Sequence, residues 1–146
     1  MEHRIGIQAP PQVIWDVLYD LAGWAEWNPL YPKASGEIRI GAPITLTLAL
    51  PGQPPREIRP VVLEWVPNEQ LHWRLSLMGG LVKTVRYMEI EQLAEASCIV
   101  SSGEIIGGLL GGSAARQMGR AIHRGFVAMN GALKERAEAV WQARQA

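Results

Sequence analysis

Cysteine is nearly missing from this chain. Cys98 stands alone, so an internal disulfide is excluded and a reducing compartment is the natural setting. Aspartate is almost as scarce, with only Asp16 and Asp20. The three histidines, His3, His72 and His123, are scattered and form no pair at metal-ligand spacing. No metal site is therefore expected, and no Ser/His/Asp arrangement can be assembled. Charge of either sign is not in excess: Lys+Arg and Asp+Glu are both 14. That balance argues against nucleic acid or an anionic membrane as the main partner, since either would favour a basic patch. Long apolar runs are missing too. Nothing approaches the ~18 residues that would span a bilayer, and the opening MEHRIGIQAPPQ lacks the apolar core of a signal peptide. A cytoplasmic protein is expected.

What is present suits one packed domain. The 146 residues are 48% hydrophobic and include six tryptophans, and a chain of this length buries about two-thirds of its unfolded surface. No repeat, linker or low-complexity block suggests a boundary, so residues 1–146 are read as a single domain. His3 to Gln8 is a short strand. Pro10 and Pro11 suit a helix start, and Val13, Ile14, Val17 and Leu18 form its apolar face. A second short segment carries Leu21, Trp24 and Trp27 and ends at Asn28-Pro29. From Glu37 to Ile106 strands follow one another. Ile44, Leu46, Leu48 and Leu50 alternate with small or polar residues, as do Val61, Leu63 and Trp65, and then Leu71, Trp73, Leu75 and Leu77. The glycine-rich stretch Gly107–Gly112 stands between strand and helix as a phosphate loop would, but lacks the lysine of that motif and reads as a hinge or bulge. Ser113 is then a fitting N-cap for one helix running to about Ala143. Along it Met118, Ile122, Phe126, Met129, Leu133 and Val140 recur at helical spacing.

Hairpin register adds a spatial prediction. Gly79-Gly80 supplies the positive φ of a two-residue turn, which pairs Leu77 with Val82, Leu75 with Thr84, Trp73 with Arg86 and Leu71 with Met88. Opposed residues share a face. A second turn near Ala94-Glu95-Ala96, with Leu93 opposite Ser97, pairs Ile90 with Val100, Met88 with Ser102 and Arg86 with Glu104. The row Trp73, Arg86, Glu104 thus crosses three strands on the inward face, and Cys98 shares that inward parity as a buried, unreactive thiol.

These segments together resemble a known superfamily. They are Ala9-Pro10-Pro11-Gln12-Val13-Ile14-Trp15, Trp24-Ala25-Glu26-Trp27-Asn28-Pro29, Gly41-Ala42-Pro43, Leu71-His72-Trp73-Arg74 and the stretch from Gly125 to Lys134. In order and spacing they are similar to the START-like, birch-pollen-allergen-like (SRPBCC) superfamily, and within it to bacterial polyketide cyclase/dehydrase-type proteins. The resemblance covers essentially the whole chain. It implies an α+β helix-grip fold: a curved antiparallel sheet of about six to seven strands wrapped around a long C-terminal helix, with two short helices after the first strand. It also implies a cavity for a lipid, polyketide or other hydrophobic molecule between helix and sheet, and no cofactor. Comparable bacterial members often carry a histidine near the position of Arg86, and its replacement here leaves Glu104 without that neighbour.

The inward residues expected at a ligand are Trp65, Trp73, Leu75, Thr84, Arg86, Met88, Ser102 and Glu104 from the sheet, with Met118, Ile122, Phe126 and Met129 from the helix. Trp24 and Trp27 either guard the entrance or pack the short helices. The apolar members line a cavity or form plain core, and Arg86 and Glu104 orient a ligand or pair with each other. Three functions compete. The first is binding or carriage of a small hydrophobic molecule. The second is cyclase or dehydratase chemistry, with Arg86 polarising a carbonyl and Glu104 as acid or base. The third is a protein–protein module.

Overall fold

Strict alternation in Leu71–Leu77 builds an inner strand of the sheet, because every second side chain points to one face. In the computed structural model, which describes residues 1–146, the chain begins with β1 (Glu2–Ile7), α1 (Pro11–Tyr19) and a short 3₁₀ turn (Leu21–Glu26). Seven strands follow: β2 (Lys33–Gly36), β3 (Ile44–Leu48), β4 (Arg56–Ile58), β5 (Val61–Val66), β6 (Gln70–Leu77), β7 (Val82–Ala94) and β8 (Ser97–Gly107). The chain closes with α2 (Gly111–Gln145). No helix is long and apolar enough to cross a membrane.

The strands are shared between two antiparallel sheets, where the sequence suggests one. The larger has the order β1-β8-β7-β6-β5 and the smaller β2-β3-β4. A single bridge, Pro43 to Val61, with the bonds Gly41 N to Val62 O and Ile44 N to Pro60 O, links them. Proline supplies no N–H, so Pro43 and Pro60 interrupt the ladder at the junction. α2 lies against β1 and β8 with Ile122, Phe126, Met129 and Leu133 buried. Met118 and Val140 are partly buried against the same core. This is an α+β helix-grip, START-like arrangement.

The β6–β7 register is the expected one from Leu71↔Met88 to Leu77↔Val82. β7 and β8 also pair as expected at Arg86↔Glu104, Met88↔Ser102 and Ile90↔Val100, but the hairpin end differs. Ala94, not Leu93, opposes Ser97, because a bulge falls between Gln92 and Ala94. A second bulge, between Val62 and Glu64, corrects the reading of β5. It turns Val62 inward opposite Trp73 and leaves Leu63 exposed, so period-2 counting fails across it.

The start of α2 also departs from expectation. Ser113 is not the N-cap: the helix begins at Gly111, after Leu110, which has no capping side chain. Gly108 adopts φ 91°, and the Gly111 N–H donates to the Gly108 carbonyl at 3.1 Å. The backbone turn starts the helix before a capping side chain is reached. Glycine is required at 108, since a Cβ there would stand 2.5 Å from the Leu81 carbonyl oxygen.

Candidate functional site

The cross-strand rows of β6, β7 and β8 grade from open to sealed. Leu77 and Val82, then Leu75, Thr84 and Ile106, line a cavity of about 330 Å³ between the sheets and the first turns of α2. Thirteen of its 17 lining residues are hydrophobic. The next row inward is Trp73, Arg86 and Glu104, of which only Glu104 is on the wall. Beyond it Leu71, Met88 and Ser102 are packed at 0–1% exposure. The cavity therefore occupies the end of the sheet nearest Gly79-Gly80 and stops at the Arg86 row.

Of the expected ligand residues, Leu75, Thr84, Glu104, Met118, Ile122 and Phe126 meet at this cavity. The others stand elsewhere. Met88, Ser102 and Met129 are sealed in the core beyond the row, and Trp73 is buried against Trp24 and Tyr31. Trp65 stacks on Trp15 at 6.1 Å; it stands opposite Leu71, level with the sealed row. Trp24 is no gate. It is fully buried and donates from Nε1 to the Leu18 carbonyl at 3.1 Å, so it belongs to the core. Trp27 borders a separate shallow depression with Asp16, Asp20 and Arg136. The open rim is formed instead by exposed Arg56, Met78 and Gln117.

Arg86 is only 1% exposed, yet no carboxylate lies within ion-pair distance of it. Its guanidinium is held in other ways. Nε donates to the Tyr31 hydroxyl at 3.2 Å, and Nη1 donates to the Tyr87 carbonyl at 2.6 Å and the Gly103 carbonyl at 3.3 Å. Nη2 reaches the Met129 sulfur at 3.5 Å. The Phe126 ring lies 4.2 Å from the guanidinium carbon, a cation–π distance. The register prediction placed Arg86 and Glu104 opposite each other, and they are; they do not form an ion pair. Arg86 is instead held by backbone oxygens, a hydroxyl, a thioether sulfur and aromatic faces.

Glu104 is left as the only carboxyl on the cavity wall. Burial pushes its pKa up, while the charge of Arg86 and the Thr84 hydroxyl pull it back. The wall thus holds a carboxyl that stays protonated to higher pH than usual, able to donate as well as accept a hydrogen bond. Tyr31 lines the same region, and burial raises its pKa as well.

Sequence reasoning missed Tyr31, Leu30 and Arg56. The first two follow Asn28-Pro29 and are positioned by Asn28, whose Oδ1 accepts from the backbone N–H groups of Leu30 and Tyr31 at 3.0 and 2.9 Å. Such an Asx turn is a recognisable local signal, but it does not say what the next residues touch. Leu48 and Leu50 also line the cavity, and the alternation they share with Ile44 and Leu46 already put them on one face. Cys98 is buried against the Ala9 carbonyl with its pKa raised by burial, which makes it unreactive. Overall neutrality did not prevent a local basic stretch. Exposed Arg116, Arg120, His123 and Arg124 border an open depression on the far side of α2.

A family model described as polyketide cyclase / dehydrase and lipid transport matches residues 1–138. The chain belongs to this family. Its helix-grip fold is shared with an aromatase/cyclase from Streptomyces sp. R1128, at 18% identity and TM-score 0.73, covering 94% of this chain and 92% of that one. A START superfamily protein from Mycobacterium smegmatis matches at 15% identity and TM-score 0.71, covering 96% and 97% of the two chains. Norcoclaurine synthase from Thalictrum flavum, solved with dopamine and hydroxybenzaldehyde, matches at 16% identity and TM-score 0.69, covering 92% of this chain and 83% of that one. Identities this low establish the fold and not the chemistry. No curated protein sequence matches the chain.

Proposed function

We propose that this member of the polyketide cyclase/dehydrase and lipid transport family binds and carries a small, mainly apolar molecule in the cavity between its sheets and α2. The observation that carries the reading is the cavity itself: about 330 Å³ of apolar-lined space in a chain that otherwise packs its core to 0–2% exposure at Trp73, Met88 and Met129. The volume sits at the small end of the range for ligand pockets, which favours a compact ligand. Leu75 is on the wall and only half buried, so Leu75→Trp should fill the space and abolish binding of an apolar fluorescent dye while the melting temperature holds. Retained dye binding in a folded Leu75→Trp protein would place the site elsewhere. Native mass spectrometry of the purified protein would identify what it carries.

A cyclase or dehydratase activity is the second reading, favoured by one observation: a carboxyl of raised pKa on the wall of an apolar cavity is suited to acid–base work. Arg86 takes no part under this reading, because it does not line the cavity and its Nε and Nη1 donors are engaged by Tyr31, Tyr87 and Gly103. Glu104→Gln would lose ~10²-fold or more in turnover under this reading and leave ligand binding in place under the first.

A further inference from the structure

Only two residues lining the cavity carry a charge-bearing group, and they come from different sheets. Glu104 is on β8, at the inner end, where the rows close over Arg86. Arg56 is on β4, opposite Leu48 of β3, and is exposed at the rim. The rest of the wall is mainly apolar, with Leu48, Leu50, Leu75 and Ile122 in its lining. Arg56 takes no part in any ion pair. Its neighbour Glu57 points to the other face of β4, where its carboxylate lies 3.9 Å from Arg59. A free guanidinium at the opening of an apolar cavity is a fork without a partner, and a carboxylate matches it in charge and in geometry.

We infer that the ligand is an amphipathic carboxylic acid, seated with its apolar body in the cavity and its carboxylate against Arg56 at the rim. This rests on the carrier reading and narrows it to a chemical class. The orientation follows from the gradient of the wall. The inner end offers a carboxyl on the wall with Arg86 sealed behind it, so no free cation faces the ligand there, whereas the rim offers a guanidinium with no ion-pair partner. The raised pKa of Glu104 agrees, since a protonated inner end tolerates an alkyl or aryl terminus better than a charged one.

Calorimetric titration with decanoate and with 1-decanol, alongside the apolar dye, tests the class. The wild-type protein should bind decanoate about 10-fold tighter than 1-decanol, the gain of one charge-assisted contact at a partly exposed site. Arg56→Gln should bring decanoate down to the level of the alcohol and leave 1-decanol and the dye unchanged; Arg56→Lys should keep part of the preference. Arg56 is exposed, so these variants should melt with the wild type. Equal affinity for acid and alcohol in the wild type, or a preference that survives Arg56→Gln, overturns the inference while dye binding that Leu75→Trp blocks upholds the carrier reading. If the dye and both ligands all fail to bind, the inference falls together with the reading beneath it.

Discussion

Arg86 and Glu104 are neighbours with different occupations. The guanidinium donates to Tyr31, Tyr87 and Gly103 and lies against Phe126, so its loss should be felt in stability. Lysine cannot present donors in three fixed directions. Arg86→Lys should therefore destabilise the fold by about 2–4 kcal/mol, since bonds to charged groups contribute about 1.5–3 kcal/mol each and only part of them is replaced; urea denaturation measures it. Glu104 behaves oppositely. Its folded-state pKa is raised by burial above the ordinary 4.5, so its contribution is fully present below that value and is lost as pH rises through the raised one. Relative to Glu104→Gln, the wild type should lose stability as pH rises above 4.5. Because Arg86 does not depend on this carboxylate, the variant should not collapse at pH 7. A loss of several kcal/mol there would mean that the two groups form a pair after all.

At the scale of elements, the hairpins and the helix start make separate claims. Tyr87 opposes Gly103 in the β7–β8 ladder and covers it, so that a Cβ at 103 would run into the tyrosine ring and hydroxyl. The same hydroxyl donates to Glu2 of β1, and burial together with that bond pushes its pKa up to about 12. Gly103→Ala should displace the ring, break the bond to Glu2 and cost about 1–3 kcal/mol. The tyrosine ionisation, followed by ultraviolet absorbance, should move back toward 10.0, its ordinary value. Ser113 supplies the contrast. It lies inside α2, and its hydroxyl accepts only from Gln117 at 3.3 Å. Ser113→Ala should change stability by less than about 0.5 kcal/mol, where loss of a true N-cap would cost about 1.

Across the whole molecule, the two chain ends are tied together by a polar network in the core. Ser102 Oγ donates to Asn130 Oδ1 at 2.7 Å, and Asn130 Nδ2 donates to the Nδ1 and carbonyl oxygen of His3, at 2.9 and 3.1 Å. β1, β8 and α2 meet there. Nδ1 of His3 accepts, so the neutral ring is the one that fits, and burial with the nearby His123 lowers its pKa below 6.5. A depressed histidine pKa gives stability that is present above 6.5 and lost as pH falls through the folded-state value. The melting temperature should therefore fall between pH 7 and pH 5 more steeply in the wild type than in His3→Gln. This is the reverse of the trend at Glu104, so the two variants separate the contributions. A wild-type curve parallel to that of His3→Gln would show that the network does not sense protonation.

The sequence by itself determined the α+β class, the central hairpin register and the inward stripe of α2, because each follows from local chemistry. Side chains alternate along a strand, Gly79-Gly80 accepts positive φ, and apolar residues recur along α2 at helical spacing. It also placed Leu75, Thr84, Glu104, Met118, Ile122 and Phe126 on the faces that meet at the cavity. Tertiary structure alone decided where the cavity ends. Alternation cannot tell Leu75, on the wall, from Met88, sealed two rows away, because both have the same parity. Nor can it foresee that Tyr31 arrives from an Asx turn to occupy Arg86, or that Arg56 reaches the rim from a second sheet. Those facts depend on how the two sheets and α2 close on one another. The two bulges show the same limit on a smaller scale, since one extra residue in β5 sent Leu63 outward and Val62 into the core.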